Sequence, residues 1–444
     1  MDERVGDMQK NYYSLPNQGK KIIVRQRSLM HWLVLIVSFW PFIMNLTSIL
    51  PNPLGYVKYL PDGVILILLL QNLNRRRLVF KRRTIFLASI VFALFIYTLL
   101  VYLFRFQSIA FYLWGFRNNF RFYITFFAIY SYLDEKDIAT WFNTLDFLFW
   151  LNLLLAFFQF FVLGVRGDYI GGIFGIWGKT NGYTTAFLCV VMMRSFLKSF
   201  SKEERLVICI LKSIGALTIA ALAELKAFFV FFILILIGTT MLTSFSWKKC
   251  AVLILGSILL MAGTSVLSQI HGFVGFFSWE NLWELATKEN YASQNDINRL
   301  SAISTLSEKL MASPLDRIFG FGLGNCDTSS FEICNTPFYK SHGSMHYTWL
   351  TSAMVFLEMG FIGLVIYMGF FAICGWKAYK MQRDGIGNRI NNQQALLMSV
   401  ICLILMFYNS SLRIESAYMI YFVLALPYIK SAPKNESSIQ EQNA

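Results

Sequence analysis

Residues 75–104 read RRRLVFKRRTIFLASIVFALFIYTLLVYLF. Six cations (Arg75, Arg76, Arg77, Lys81, Arg82 and Arg83) stop abruptly, and no charge follows from Thr84 to Phe104. A helix crossing a bilayer needs about 20 mostly apolar residues. Lys and Arg collect in the loops on its cytoplasmic side. The stretch therefore predicts a transmembrane helix together with its start and its orientation.

The same pattern recurs on both sides of it. Of the 444 residues 56% are hydrophobic and only 14% charged, against about 25% charged in soluble domains. That shortfall excludes an ordinary cytosolic enzyme and a disordered chain. The length alone would suit two or three globular domains, but the apolar runs point to one polytopic membrane domain over 30–430. Further spans are expected near 30–50, 57–73, 109–132, 143–164, 182–199, 205–223, 225–244, 248–268, 354–378, 394–412 and 416–430. The fold expected is all-α, with about 12 transmembrane helices. The formal charge of +14 is read as cytoplasmic loops, not as a nucleic-acid surface. Lys248, Lys249, Lys377, Lys380, Arg383 and Arg389 fall on the same side as the Arg75 cluster. Both termini (1–29, and the polar tail 431–444) are thus expected in the cytoplasm. The first apolar run is too long for a signal h-region and reads as a retained anchor.

One connection is long. Residues 271–346, between the ninth and tenth spans, lie on the extracytoplasmic side and hold His271, His342 and His346, with Cys326 and Cys334 close together. Leu300, Ile303, Leu306 and Leu310 share a helical face stopped by Pro314; Trp279, Leu282, Trp283 and Ala286 form a second stripe suited to the membrane interface. An ordered ledge is expected. Outside the cytoplasm the two cysteines could bridge or stay as thiols.

Charges inside spans are costly and mark function by default. Arg117 and Arg121 are four apart in the fourth span, on one helix face. Like charges there repel unless an anion lies between them. Snorkelling to headgroups, or pairing with a buried carboxylate, would also satisfy them. Arg166, Lys179, Lys226, Arg299, Arg317 and Arg413, the last beside Glu415, add outward basic groups and suggest a cationic cavity suited to a diphosphate. His346, where the ledge re-enters the membrane, is the candidate proton-transfer group, with His342 its competitor. A metal on this i,i+4 histidine pair lacks a third ligand, and none is expected. Gly320-Phe321-Gly322-Leu323-Gly324 reads as a tight turn at the cavity mouth, not a dinucleotide fingerprint.

Three stretches, in order, resemble the O-antigen polymerase and O-antigen ligase superfamily of bacterial membranes. They are Asp168-Tyr169-Ile170-Gly171-Gly172-Ile173-Phe174-Gly175 with Asn181-Gly182; Arg299 followed by Pro314-Leu315 and Ile318–Gly324; and His346-Tyr347-Thr348-Trp349-Leu350 followed by Leu357–Leu364. The resemblance implies a metal- and cofactor-independent glycosyltransferase of the bacterial inner membrane. Its donor would be a polyprenyl-diphosphate-linked oligosaccharide. Arg117, Arg121 and Lys226 would hold the diphosphate, and His346 and Arg299 would be catalytic. Membrane lipids, a chain-length regulator and a flippase of the same pathway are the partners it implies, and no nucleic acid. Two departures stand out: Lys226 where the family usually has Arg, and 14 positions from His346 to Gly360, nearly one helical turn more than the ligase-like spacing. The longer spacing favours a polymerase over a ligase.

The rival of a different class is a 12-helix transporter or lipid-glycan flippase. A major-facilitator transporter would place its long loop in the cytoplasm and repeat its halves; here the long loop is outside and no repeat is seen. A metal-dependent polyprenyl-sugar transferase would want carboxylates in the first outer loop, and residues 51–56 have none.

Overall fold

The computed structural model describes residues 29–49, 54–74, 84–178, 180–243, 256–259, 261–266, 268–269, 296–329 and 331–429. Among these the chain is helical and forms no strand. The helices are α1 (Leu29–Ile49), α2 (Leu60–Asn74), α3 (Ile85–Arg105), α4 (Ile109–Tyr132), α5 (Glu135–Phe157), α6 (Thr180–Phe200), α7 (Leu206–Leu222) and α8 (Lys226–Leu242). Short helices α9 (Ala302–Lys309), α10 (Pro314–Phe319) and α11 (Pro337–His342) precede α12 (Thr351–Arg383), α13 (Arg389–Tyr408) and α14 (Ala417–Ala425). Four segments are long and apolar enough to cross a membrane: α3, α5 with its continuation to Val162, α12 and α13.

Local chemistry sets the ends. The Asp134 carboxylate accepts from the backbone N–H groups of Lys136 and Asp137, and Asp137 accepts from that of Asp134. This reciprocal cap starts α5 at Glu135, well before the expected 143, because charged residues that resemble a loop are in fact its first turn. At the other extreme α14 is apolar on every side, and all of Ala417 to Ala425 is buried. A helix of that composition belongs inside. It packs against α1, α4, α6 and α13, with Phe422 stacked on Trp141 at 3.9 Å between ring centroids.

The break in α12 positions the site. Gly360 has φ 62° and ψ −166°, a region open essentially to glycine alone. The break frees carbonyls that need partners wherever water is absent. Leu357 and Glu358 carbonyls accept from the backbone N–H groups of Phe321 and Gly322, and that of Met359 accepts from the Tyr97 hydroxyl at 2.6 Å. The Gly320–Gly324 turn thus threads between the broken helix and α4. A Cβ on Gly324 would overlap the Phe111 carbonyl, and one on Gly360 would overlap that of Ile318.

The described parts of the ledge, 296–329 and 331–346, pack on the first half of α12. Ala302, Leu306, Met311, Cys326 and Tyr347 form a second buried cluster with Leu350, Ala353 and Phe356. Two details differ from expectation. Leu300 is exposed, outside the helix that begins at Ala302. Pro314 also opens α10, its missing N–H costing nothing at the first turn. The Trp279–Ala286 stripe, His271 and Lys179 lie outside the described residues.

Candidate functional site

Arg117 and Arg121 do share a face of α4, and Asp62, from the first turn of α2, lies between them. Arg117 donates through Nε and Nη2 to Asp62 Oδ2 at 2.9 and 2.8 Å. Arg121 Nη1 is 3.6 Å from Asp62 Oδ1, and its Nη2 donates to Glu415 Oε1 at 3.1 Å. Glu415 Oε2 accepts from the Tyr183 hydroxyl of α6 at 2.6 Å. Burial pushes the Glu415 carboxyl up, but Arg121 and the Tyr183 hydroxyl outweigh it and hold it below the usual carboxylate range.

The network continues through Asn118, which donates to Asp327 Oδ2 at 2.7 Å. Arg413 Nη2 reaches the same oxygen at 3.1 Å and Glu358 Oε2 at 3.2 Å. Glu358 is fully buried, two residues before the break in α12. Three arginines thus meet four carboxylates, Asp62, Asp327, Glu358 and Glu415. This corrects the cationic cavity expected from sequence: the arginine pair is compensated, and by a carboxylate from another helix. Asp62, Asp327, Glu358 and Tyr183 were missed. Asp62 had a signal, being the sole carboxylate between Asp7 and Asp134.

A second group surrounds the start of α6. Asn181 donates to Asp168 Oδ1 at 2.6 Å. Burial pushes the Asp168 carboxyl up, Asn181 opposes it, and the charges of Glu224, Lys226 and Arg299 also bear on it. Lys226 pairs with Glu224 at 3.0 Å across the tight α7–α8 turn, where Glu224 takes φ 55°. Arg299 donates to the Tyr408 carbonyl at 3.1 Å and lies over that residue's ring.

His346 sits where the ledge meets α12, in a left-handed conformation (φ 53°, ψ 25°). Its Nδ1 meets Asp296 Oδ1 at 2.5 Å, and its ring stacks on Trp349 at 4.1 Å. A carboxylate on Nδ1 fixes the tautomer and leaves the lone pair on Nε2. His342 instead packs on Phe338. Arg166 donates to the Phe160 carbonyl and covers its ring, and Arg317 donates to the Met311 carbonyl; both tie down backbone. Cys326 and Cys334 are free thiols. The first is buried in the ledge cluster and the second lines a surface groove, so the bridge is not formed.

No protein-family model matches the chain, and no curated protein matches it.

Proposed function

We propose that the chain is an extracytoplasmic polysaccharide polymerase. It moves a glycan from a polyprenyl-diphosphate donor to a lipid-linked repeat-unit acceptor. In this reading about twelve helices cross the bacterial inner membrane, both termini are cytoplasmic, and the ledge with His346 faces outward. The observation that carries it is the His346–Asp296 pair in a strained backbone, at the entry to a helix that breaks at Gly360.

The chemistry follows from charge and proton flow. With Asp296 on Nδ1–H, the Nε2 of His346 takes the proton of the acceptor hydroxyl. The hydroxyl oxygen bonds to the anomeric carbon as that carbon's bond to the diphosphate breaks. The lipid diphosphate leaves with the electron pair. Cations fixed beside those oxygens favour the transition state over the ground state. In this scheme Arg299, which lies over the Tyr408 ring, and Lys226, at the start of α8, take this role. Arg117 and Arg121 can hold phosphate only by exchanging it for Asp62 or Glu415, so in this scheme they anchor the site's frame.

A second reading has one observation in its favour. Discontinuous helices also build substrate sites in transporters, and α12 is discontinuous. A strain lacking the protein separates the readings. Single lipid-linked repeats exposed outside the cytoplasm imply a polymerase. Unattached polymer implies a ligase, and repeats trapped inside imply a transporter.

A further inference from the structure

One groove of about 510 Å³ opens beside the charge network. Its walls are Tyr56 and Tyr59 from the turn before α2, Trp114 of α4, and Phe331 of the ledge; Asp62 and Arg117 also line it. Phe331 is the hinge of the cluster. It stacks on Tyr56 at 13° between planes with centroids 5.9 Å apart, lies 5.1 Å from Tyr59, and meets Trp114 edge-on at 5.9 Å. Trp114 is fixed by its Nε1 donating to the Thr328 carbonyl at 3.1 Å.

We propose that this groove seats a sugar ring of the lipid-linked glycan. The inference rests on the polymerase reading and names a substrate subsite for it. Three alternatives fit less well. A bound cation would want the aromatic faces, but the Arg117 guanidinium already lies 5.2 Å from the Tyr59 ring and 4.9 Å from Trp114. An anion would meet Asp62, on which Arg117 spends two of its donors. A polyprenyl chain has no use for a carboxylate. A pyranose presents an apolar C–H face and a rim of hydroxyl donors, which matches aromatic walls with one waiting acceptor. Asp62 supplies that acceptor: its side chain lines the groove and keeps 21% of its surface exposed, with Oδ2 held by Arg117 and Oδ1 buried beside Arg121. Such a groove, mostly apolar with a few converging polar groups, is the usual form of a ligand site.

The test uses the full-length protein in detergent and three probes. These are the lipid-linked repeat unit isolated from a strain lacking this protein, the oligosaccharide released from it, and sugar-free undecaprenyl diphosphate. Tyr56→Ala and Phe331→Ala, which touch exposed walls, should weaken the repeat unit and the free oligosaccharide by about three- to tenfold. Undecaprenyl diphosphate should bind these variants as it binds the wild type, which also shows that they are folded. Phe331→Tyr should keep wild-type affinity. Unchanged affinity for the repeat unit in both alanine variants overturns the sugar seat and leaves the polymerase reading standing. Weakened undecaprenyl diphosphate instead assigns the groove to the lipid chain and also overturns it. If the wild type binds none of the probes, the polymerase reading itself fails.

Discussion

Arg413 holds two carboxylates, and one of them, Glu358, has no exposed surface. Removing one partner of a buried pair costs roughly 3–5 kcal/mol, because the other charge is left uncompensated. Arg413→Ala should therefore lower the thermal midpoint sharply in detergent, and adding Glu358→Gln should recover part of the loss. Glu415 gives a pH signature with a definite sign. Its folded carboxyl titrates below the ordinary value, about 4.3 for glutamate. Its contribution is complete above about pH 4.3 and is lost as pH falls through the lowered folded value. Unfolding midpoints measured from pH 7 down to pH 3 should show an acid loss in the wild type that Glu415→Gln lacks. His346 separates fold from chemistry. A non-glycine residue at its left-handed φ of 53° is strained by about 1–2 kcal/mol. His346→Gly relieves that strain but leaves the buried Asp296 without its imidazole partner, so the thermal midpoint should fall only modestly while turnover drops by about 10²–10⁴. His342→Ala, on a residue that packs against Phe338, should be mild in both assays.

At the scale of elements, glycine marks where helices come close or break. Gly360→Ala forces a Cβ into the Ile318 carbonyl at a backbone angle that alanine rejects, so folded yield should collapse. Gly369→Ala, in the same helix with nothing within 4 Å, should be neutral or stabilise by about 0.5–1 kcal/mol; yield and thermal midpoint compared side by side check both. The same contrast explains what could be read in advance. The ends of α3 and α4 lie within a residue of expectation, since their apolar runs stop at charges or turns. The start of α5 was hidden, because Glu135, Lys136 and Asp137 look like a loop until Asp134 is seen to cap them. The arginine pair was legible on its helix, but its counter-charge was not. Asp62 is 55 residues away from Arg117, and periodicity within one helix carries no information about which helix packs beside it.

At the scale of the whole molecule, orientation and chemistry are coupled. Polymerisation outside the cytoplasm requires the ledge and the end of α12 at Arg383 to lie on opposite sides. Single cysteines at Ser304 and Arg383, both exposed, check this with a membrane-impermeant thiol reagent on intact spheroplasts. Ser304→Cys should label and Arg383→Cys should not. The most direct test of the central claim is a reaction with purified components. Full-length protein is reconstituted with the lipid-linked repeat unit, and the products are resolved by size and by mass spectrometry. A polymerase should give glycans lengthened by whole repeats, one polyprenyl diphosphate released per bond formed, and loss of both products in His346→Gly and Arg299→Ala. Repeat units that cross the vesicle membrane unchanged, with no longer glycan and no released diphosphate, would contradict it.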